Sequence, residues 1–387
     1  MPDGNKKSHI GNLYEFLNDY YQSRSRELSY LSGKWSDFEQ WKSIARAKIH
    51  QLLSYFPQEA PLNPCVLGMK QKNGYRHEEI EFDTARNIRV KGTLLIPDKE
   101  GKLPAIVALH DHSGFYYYGR EKIIEQDPEP AVLKAFKEES YGGVSWADEA
   151  AKRGYVVLCI DGYYFGSRKL DIETVAEEIT AQYAGKLEEN PLGGDGYIGV
   201  VNEICGDMER FLVKHIFMSG ATWPGIIFHD DRKSIDYLCT REEVDTSRIG
   251  CCGLSLGGFR SVHLAALDPR IKCCAAAGWM PTFGSLLFNN LRYHTYMVYV
   301  PGLPAYMDLP DVASLTAPNP LLIQQCSRDD LYNLEGMEQA CGKISEVYER
   351  LGIGGRFSSK FYDNRHEFNL QMQKDAFGWL DKWLMHK

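Results

Sequence analysis

Apolar and polar positions change rhythm several times along the chain, and each rhythm predicts a different element. In NIRVKGTLLIP, Ile88, Val90, Leu94 and Ile96 fall on positions of one parity, which predicts a strand with one buried face. The runs AIVALHD, YVVLCID, RIGCCG, IKCCAAAG and PLLIQQC are instead apolar throughout and end in turn-forming or polar residues. Strands covered on both faces read this way, so the expected fold is α/β: a mostly parallel central sheet flanked by helices. Helix-patterned segments lie between the runs: WADEAAKRG, DRKSIDYLCTREEV, GGFRSVHLAALD, GMEQACGKISEVYERLG and the terminal EFNLQMQKDAFGWLDKWLMHK. Two stretches, near 168–223 and 280–318, do not fit the alternation, and the second is rich in aromatics (LRYHTYMVYVPGLPAYMDLP). Insertions at the strand ends of such a sheet are where pockets are built.

Ahead of Tyr75 the rhythm is helical. Ile10, Leu13, Leu17, Tyr20 and Tyr21 share one face, and Phe38, Trp41, Ala45, Ile49, Leu52 and Phe56 share another. The second helix opens with Ser36-Asp37-Phe38-Glu39, a capping-box pattern. Pro57, Pro61 and Pro64 follow it, so residues 1–75 are expected to form a helical N-terminal attachment to a catalytic domain over 76–387.

Composition narrows the function. With 387 residues, 44% of them hydrophobic, the chain can bury a large core. A formal charge of −8 without a long Lys/Arg run argues against nucleic acid as a partner. The first residues lack a secretory apolar stretch and no run reaches membrane-spanning length, so the expectation is a soluble, cytoplasmic protein acting on a small molecule. The oligomeric state is left open, a homo-oligomer included. The ten cysteines have no C-x-x-C and no regular framework, which suits reduced thiols, several of them core residues of strand-like runs.

The chemistry gathers around GCCGLSLGGFR. Its G-x-S-x-G follows an apolar strand, Arg248 to Cys252, and precedes a helix-patterned run, which is the setting of a nucleophile elbow. There Ser255 would sit in a strained turn with Gly253 and Gly257 small enough to avoid clashes. A serine hydroxyl needs a base and usually a carboxylate that orients the base. Of the downstream histidines, His263 lies on the helix after the elbow, His294 in the aromatic insertion and His386 beside the terminus. His366, in KFYDNRHEFN, comes between a strand candidate and the last helix, where the base belongs. PLLIQQCSRDDLY offers Asp329 and Asp330 as the acid, with Asp329 favoured because it follows the strand end at Cys326 by three residues. An oxyanion would need two donors: the backbone N–H of Leu256, and one from His112 or Asp111 in HDHSG. No further ligand cluster completes a metal site with the H-x-H of that loop, so neither metal nor cofactor is expected. Among the aromatics, Tyr117, Trp223, Trp279 and Tyr293, with Tyr116, Tyr118 and Tyr296, are candidates to line a substrate pocket.

With these motifs in order, residues 76 to 387 resemble the α/β-hydrolase superfamily, specifically its dienelactone hydrolase and acetyl xylan esterase-like branch. The resemblance rests on PAIVALHDHSG, WADEAAKRGYVVLCIDGYYFGSR, EVDTSRIGCCGLSLGGFRS, LLIQQCSRDDLYNLEGM and FYDNRHEF. It implies Asp329 as the triad acid, with Cys326 where the branch has glycine. Dienelactone hydrolases proper carry cysteine at the elbow; Ser255 here favours cleavage of a carboxylic ester, acetyl or other short-acyl, on a small molecule or sugar. His110-Asp111 replaces the His-Gly frequent in the family. The rival expectations are the same triad acting on another bond, as in C–C hydrolases, thioesterases or peptidases, and a non-catalytic binding protein of this fold.

Overall fold

The computed structural model describes residues 7–385; His386 lies outside them. Nine strands form one sheet: β1 (Cys65–Lys72), β2 (Tyr75–Ala85), β3 (Ile88–Pro97), β4 (Leu103–Leu109), β5 (Val156–Ile160), β6 (Val244–Leu254), β7 (Ile271–Ala277), β8 (Leu321–Cys326) and β9 (Phe357–Tyr362). Their spatial order is β1-β2-β3-β5-β4-β6-β7-β8-β9. The first three pair antiparallel, β3 meets β5 antiparallel, and all pairings from β5 to β9 are parallel. The doubly apolar runs are the parallel strands, covered on both faces as their composition requires.

Alternation across the pleat divides the core in two. Ala105, Val107, Leu109, Cys251 and Cys274 face one side with Phe259 and Val262 of helix Leu256–Leu267. Ile106, Ala108, Cys252 and Cys273 face the other with Trp146, Ala150, Phe377 and Leu380. Burial pushes the thiols of Cys251 and Cys252 up, so neither carries thiolate character.

Three expectations need correction. The sheet begins at Cys65, inside the span read as a helical attachment: β1 is exposed at seven of its eight positions, so it shows no alternation to read. The helix Phe38–Leu53 is capped by Asp37, whose carboxylate accepts from the backbone N–H groups of Glu39 (2.9 Å) and Gln40 (3.0 Å), and not by a Ser36–Glu39 box. The first helix, Leu13–Gln22, buries none of its residues, so its apolar stripe is no core face. Two longer helices, Ala131–Tyr141 and Asp195–Met218, lie in stretches assigned no helix, as do shorter ones such as Leu309–Ser314; Asp195–Met218 supplies 24 residues of the first insertion. No single described helix is long and apolar enough to cross a membrane.

Candidate active site

β6 runs straight into helix Leu256–Leu267, and Ser255 is the single residue between them, at φ 59° and ψ −116°. A non-glycine residue holds such a conformation only when its surroundings impose it. Here the Ser255 N–H donates to the Ala277 carbonyl at 2.8 Å. A Cβ added at Gly253 or at Gly257 would run into the Leu109 carbonyl oxygen, so both glycines let the turn sit on the end of β4. Gly258, not anticipated, is pressed the same way against the Ala277 carbonyl. The Leu256 N–H, first in its helix, lies ahead of the intrahelical ladder.

His366 follows β9, and its Nδ1 lies 2.6 Å from Asp329 Oδ2 in the loop after β8. The Asp329 side chain is fully buried, and its Oδ1 accepts from the Leu331 N–H at 2.8 Å. Asp330 is exposed. With Nδ1–H donated to the carboxylate, Nε2 keeps its lone pair; it is buried and has no hydrogen-bond partner among the described residues. Gly278, at φ 59°, makes room for the ring: a Cβ there would stand 3.0 Å from His366 Cε1.

Ser255, Leu256 and His366 open on one cavity of about 240 Å³, lined also by His112, Ser113, Gly114, Trp279, Tyr293, His294, Thr295, Val298, Leu331 and Tyr332. Of the expected pocket aromatics, Trp279 and Tyr293 line it. Tyr117 does not, packing against Tyr118 and Tyr197, and neither does Trp223, fully buried under Tyr163 and Tyr164. His294 was weighed only as a base and not as a pocket residue, and Thr295, Val298 and Tyr332 were not singled out. Tyr332 could have been, since it follows the acid loop directly. His294 Nε2 is 3.2 Å from the Leu331 carbonyl, and burial, with His366 nearby, pushes its pKa down. His263 is buried on Phe259 and pushed down to about 4 by burial, away from the cavity.

The loop after β4 is held from below. Lys122 Nζ, fully buried, donates to the carbonyls of Asp111 (2.7 Å) and His112 (3.1 Å) and lies 3.4 Å from the Asp111 carboxylate, which also accepts from Tyr141. Burial pushes the Asp111 carboxyl up, but Lys122 and the hydroxyls of Ser113 and Tyr141 outweigh it and hold it below its ordinary value. The HDHSG imidazoles serve separate partners: His110 meets the Asp111 carbonyl and the Gly162 N–H, His112 meets Glu209 and the Gly114 N–H. Among the described residues no group of three or more His, Cys, Asp or Glu is placed to hold a metal ion.

A mostly parallel sheet with a strained serine between strand and helix defines an α/β-hydrolase. The chain belongs to the abhydrolase family, whose model matches residues 32–277, a span that includes the elbow and ends before Asp329 and His366. It is therefore a hydrolase by family. YtaP of Bacillus subtilis (strain 168), provisionally named a hydrolase, is 26% identical over 341 residues, covering 88% of this chain and 98% of its own. A Bacteroides fragilis NCTC 9343 protein provisionally named an acetyl xylan esterase has the same fold, with a TM-score of 0.67 at 17% identity over 94% of this chain and 84% of that one. A glucuronoyl esterase from Solibacter usitatus does too, at a TM-score of 0.59 and 14% identity, covering 89% and 93%.

Proposed function

We propose that the chain is a serine carboxylic ester hydrolase. The observation that carries this reading is the Asp329–His366 pair, whose unpartnered Nε2 shares a cavity with an elbow serine. Ser255 Oγ attacks the ester carbonyl carbon while His366 Nε2 takes its proton, and Asp329 stabilises the imidazolium. The oxyanion receives the Leu256 N–H and one from the His112 loop. The C–O bond to the alcohol then breaks as His366 returns the proton, and water, activated in the same way, releases the acid from Ser255.

The cavity supports a small, uncharged acyl group. Its apolar lining comes from Trp279, Val298, Leu331 and Tyr332, and no Lys, Arg, Asp or Glu is among the described residues that line it. Esters appear in the names of both structural neighbours, which favours ester cleavage over the other bonds this triad can attack. Ser255→Ala is expected to abolish turnover of p-nitrophenyl acetate and labelling by a fluorophosphonate probe, with an unchanged circular dichroism spectrum. Turnover retained in that variant would sink the reading.

A further inference from the structure

The mechanism makes no use of Glu209, yet two residues of the cavity lining, His112 and Thr295, converge on it together with the buried Tyr116. It projects from helix Asp195–Met218 and is 7% exposed. Its Oε1 accepts from His112 Nε2 at 2.9 Å, from the Tyr116 hydroxyl at 2.9 Å and from the Thr295 hydroxyl at 2.8 Å. Burial raises the pKa of this carboxyl, but His112, Thr295 and Tyr116 outweigh it and hold it below its ordinary value, so the group is ionised. The Gly114 N–H donates to His112 Nδ1 at 3.0 Å, which leaves the proton of the neutral ring on Nε2, facing Glu209. Beyond His112 the backbone turns through Ser113 at φ 46° and Gly114 at φ 65°, a conformation that serine adopts only against a steric penalty. The ring of His112 is further braced edge-on by Tyr116 and Phe165, at 5.0 and 5.4 Å between centroids.

We propose that Glu209 is a positioning residue: its carboxylate locks the His112 side chain and ties the loop bearing the second oxyanion donor to the Thr295 wall across the cavity. This rests on the ester-hydrolase reading. The charge matters more than the bulk, because a single oxygen must accept three donors and ionised acceptors do so more strongly than amides. Loosening the loop misplaces a donor that is needed where charge develops, so the loss falls on kcat more than on KM.

Glu209→Gln keeps the volume and removes the charge. With p-nitrophenyl acetate, kcat is expected to fall by about tenfold to a hundredfold, as for a misplaced oxyanion donor, with KM changed less. His112→Ala and the double variant complete a cycle in which the second change adds little to the first; effects that multiply would overturn the coupling, as would an unchanged kcat in Glu209→Gln. Should Glu209→Gln fail to fold, Thr295→Val carries the test: it removes one donor and leaves the carboxylate, and kinetics equal to wild type would overturn the clamp. Wild-type protein inert toward esters and fluorophosphonate would defeat the ester-hydrolase reading instead. The clamp is then read without turnover, from the ring-nitrogen NMR shifts of His112: Nε2-protonated in wild type and altered in Glu209→Gln, with identical shifts in both overturning it.

Discussion

Two adjacent aspartates differ by environment alone. Asp329 is buried against His366 and the Leu331 N–H, while Asp330 faces solvent. Under the proposed mechanism, Asp329→Asn lowers kcat on p-nitrophenyl acetate by about 10³- to 10⁴-fold, since the amide can favour the wrong imidazole tautomer. Asp330→Asn should change it less than about twofold, surface substitutions away from the reacting groups being nearly neutral. Equal losses in the two variants would contradict the assignment. The candidates Ser255, Asp329 and His366 could be proposed from local pattern alone: Ser255 from G-x-S-x-G after an apolar strand, Asp329 from the polar turn that ends PLLIQQC, and His366 from its place between a strand candidate and the last helix. Glu209 could not: one acidic residue on a helix looks like a solvated position until the partners that bury it, 97 and 86 residues away, are seen.

At the scale of elements, legibility followed burial. Strands covered on both faces declared themselves, while β1 is exposed almost throughout and helix Leu13–Gln22 buries none of its residues fully, so packing constrains their patterns less. Helix Asp195–Met218 escaped because its buried face includes Glu209 beside Ile198, Val201 and Cys205, which interrupts the apolar stripe. Local chemistry decides the ends. Asp37→Ala should cost about 1 kcal/mol in urea unfolding, the usual value of an N-cap, whereas Ser36→Ala should cost almost nothing; the reverse order would restore the capping box. Asp311 belongs to helix Leu309–Ser314 and accepts from Ser29 Oγ at 2.8 Å, so it pins the N-terminal segment to the second insertion. Burial, with Asp308 adding to it, raises its pKa to about 6. A carboxyl raised in the folded state stabilises it fully below the unfolded pKa and loses that contribution as pH rises through the folded one. Relative to Asp311→Asn, the wild type should therefore lose about 2 kcal/mol of stability between pH 4 and pH 7, read as the pH dependence of the difference in urea midpoints. A difference flat in pH would count against it.

Over the whole molecule, the N-terminal region divides into a part that shares the hydrolase core and a part that does not. Trp41, Ala45, Ile49 and Leu53 of helix Phe38–Leu53 are buried in the same apolar cluster as β2 to β8. Trp41 is fully buried, and its Nε1 donates to the Leu28 carbonyl at 2.9 Å. Polar ties reinforce the packing: Arg46 Nε donates to the Ala266 carbonyl at 2.6 Å, at the end of the helix that begins after Ser255. A helix bonded in this way cannot unfold without opening the core on one face of the sheet. Trp41→Ala should thus cost about 3–5 kcal/mol, the range for truncating a large buried aromatic. Loss of hydrolase activity (ester turnover, under the proposed function), near-ultraviolet signal and helicity should then coincide in one transition at a lower temperature. An earlier, separate transition that spares activity would mean that residues 38–53 fold as an independent attachment. Phe16, 70% exposed on the helix ahead of them, provides the contrast: Phe16→Ala should leave the transition within about 0.5 kcal/mol of wild type, because it removes little buried surface.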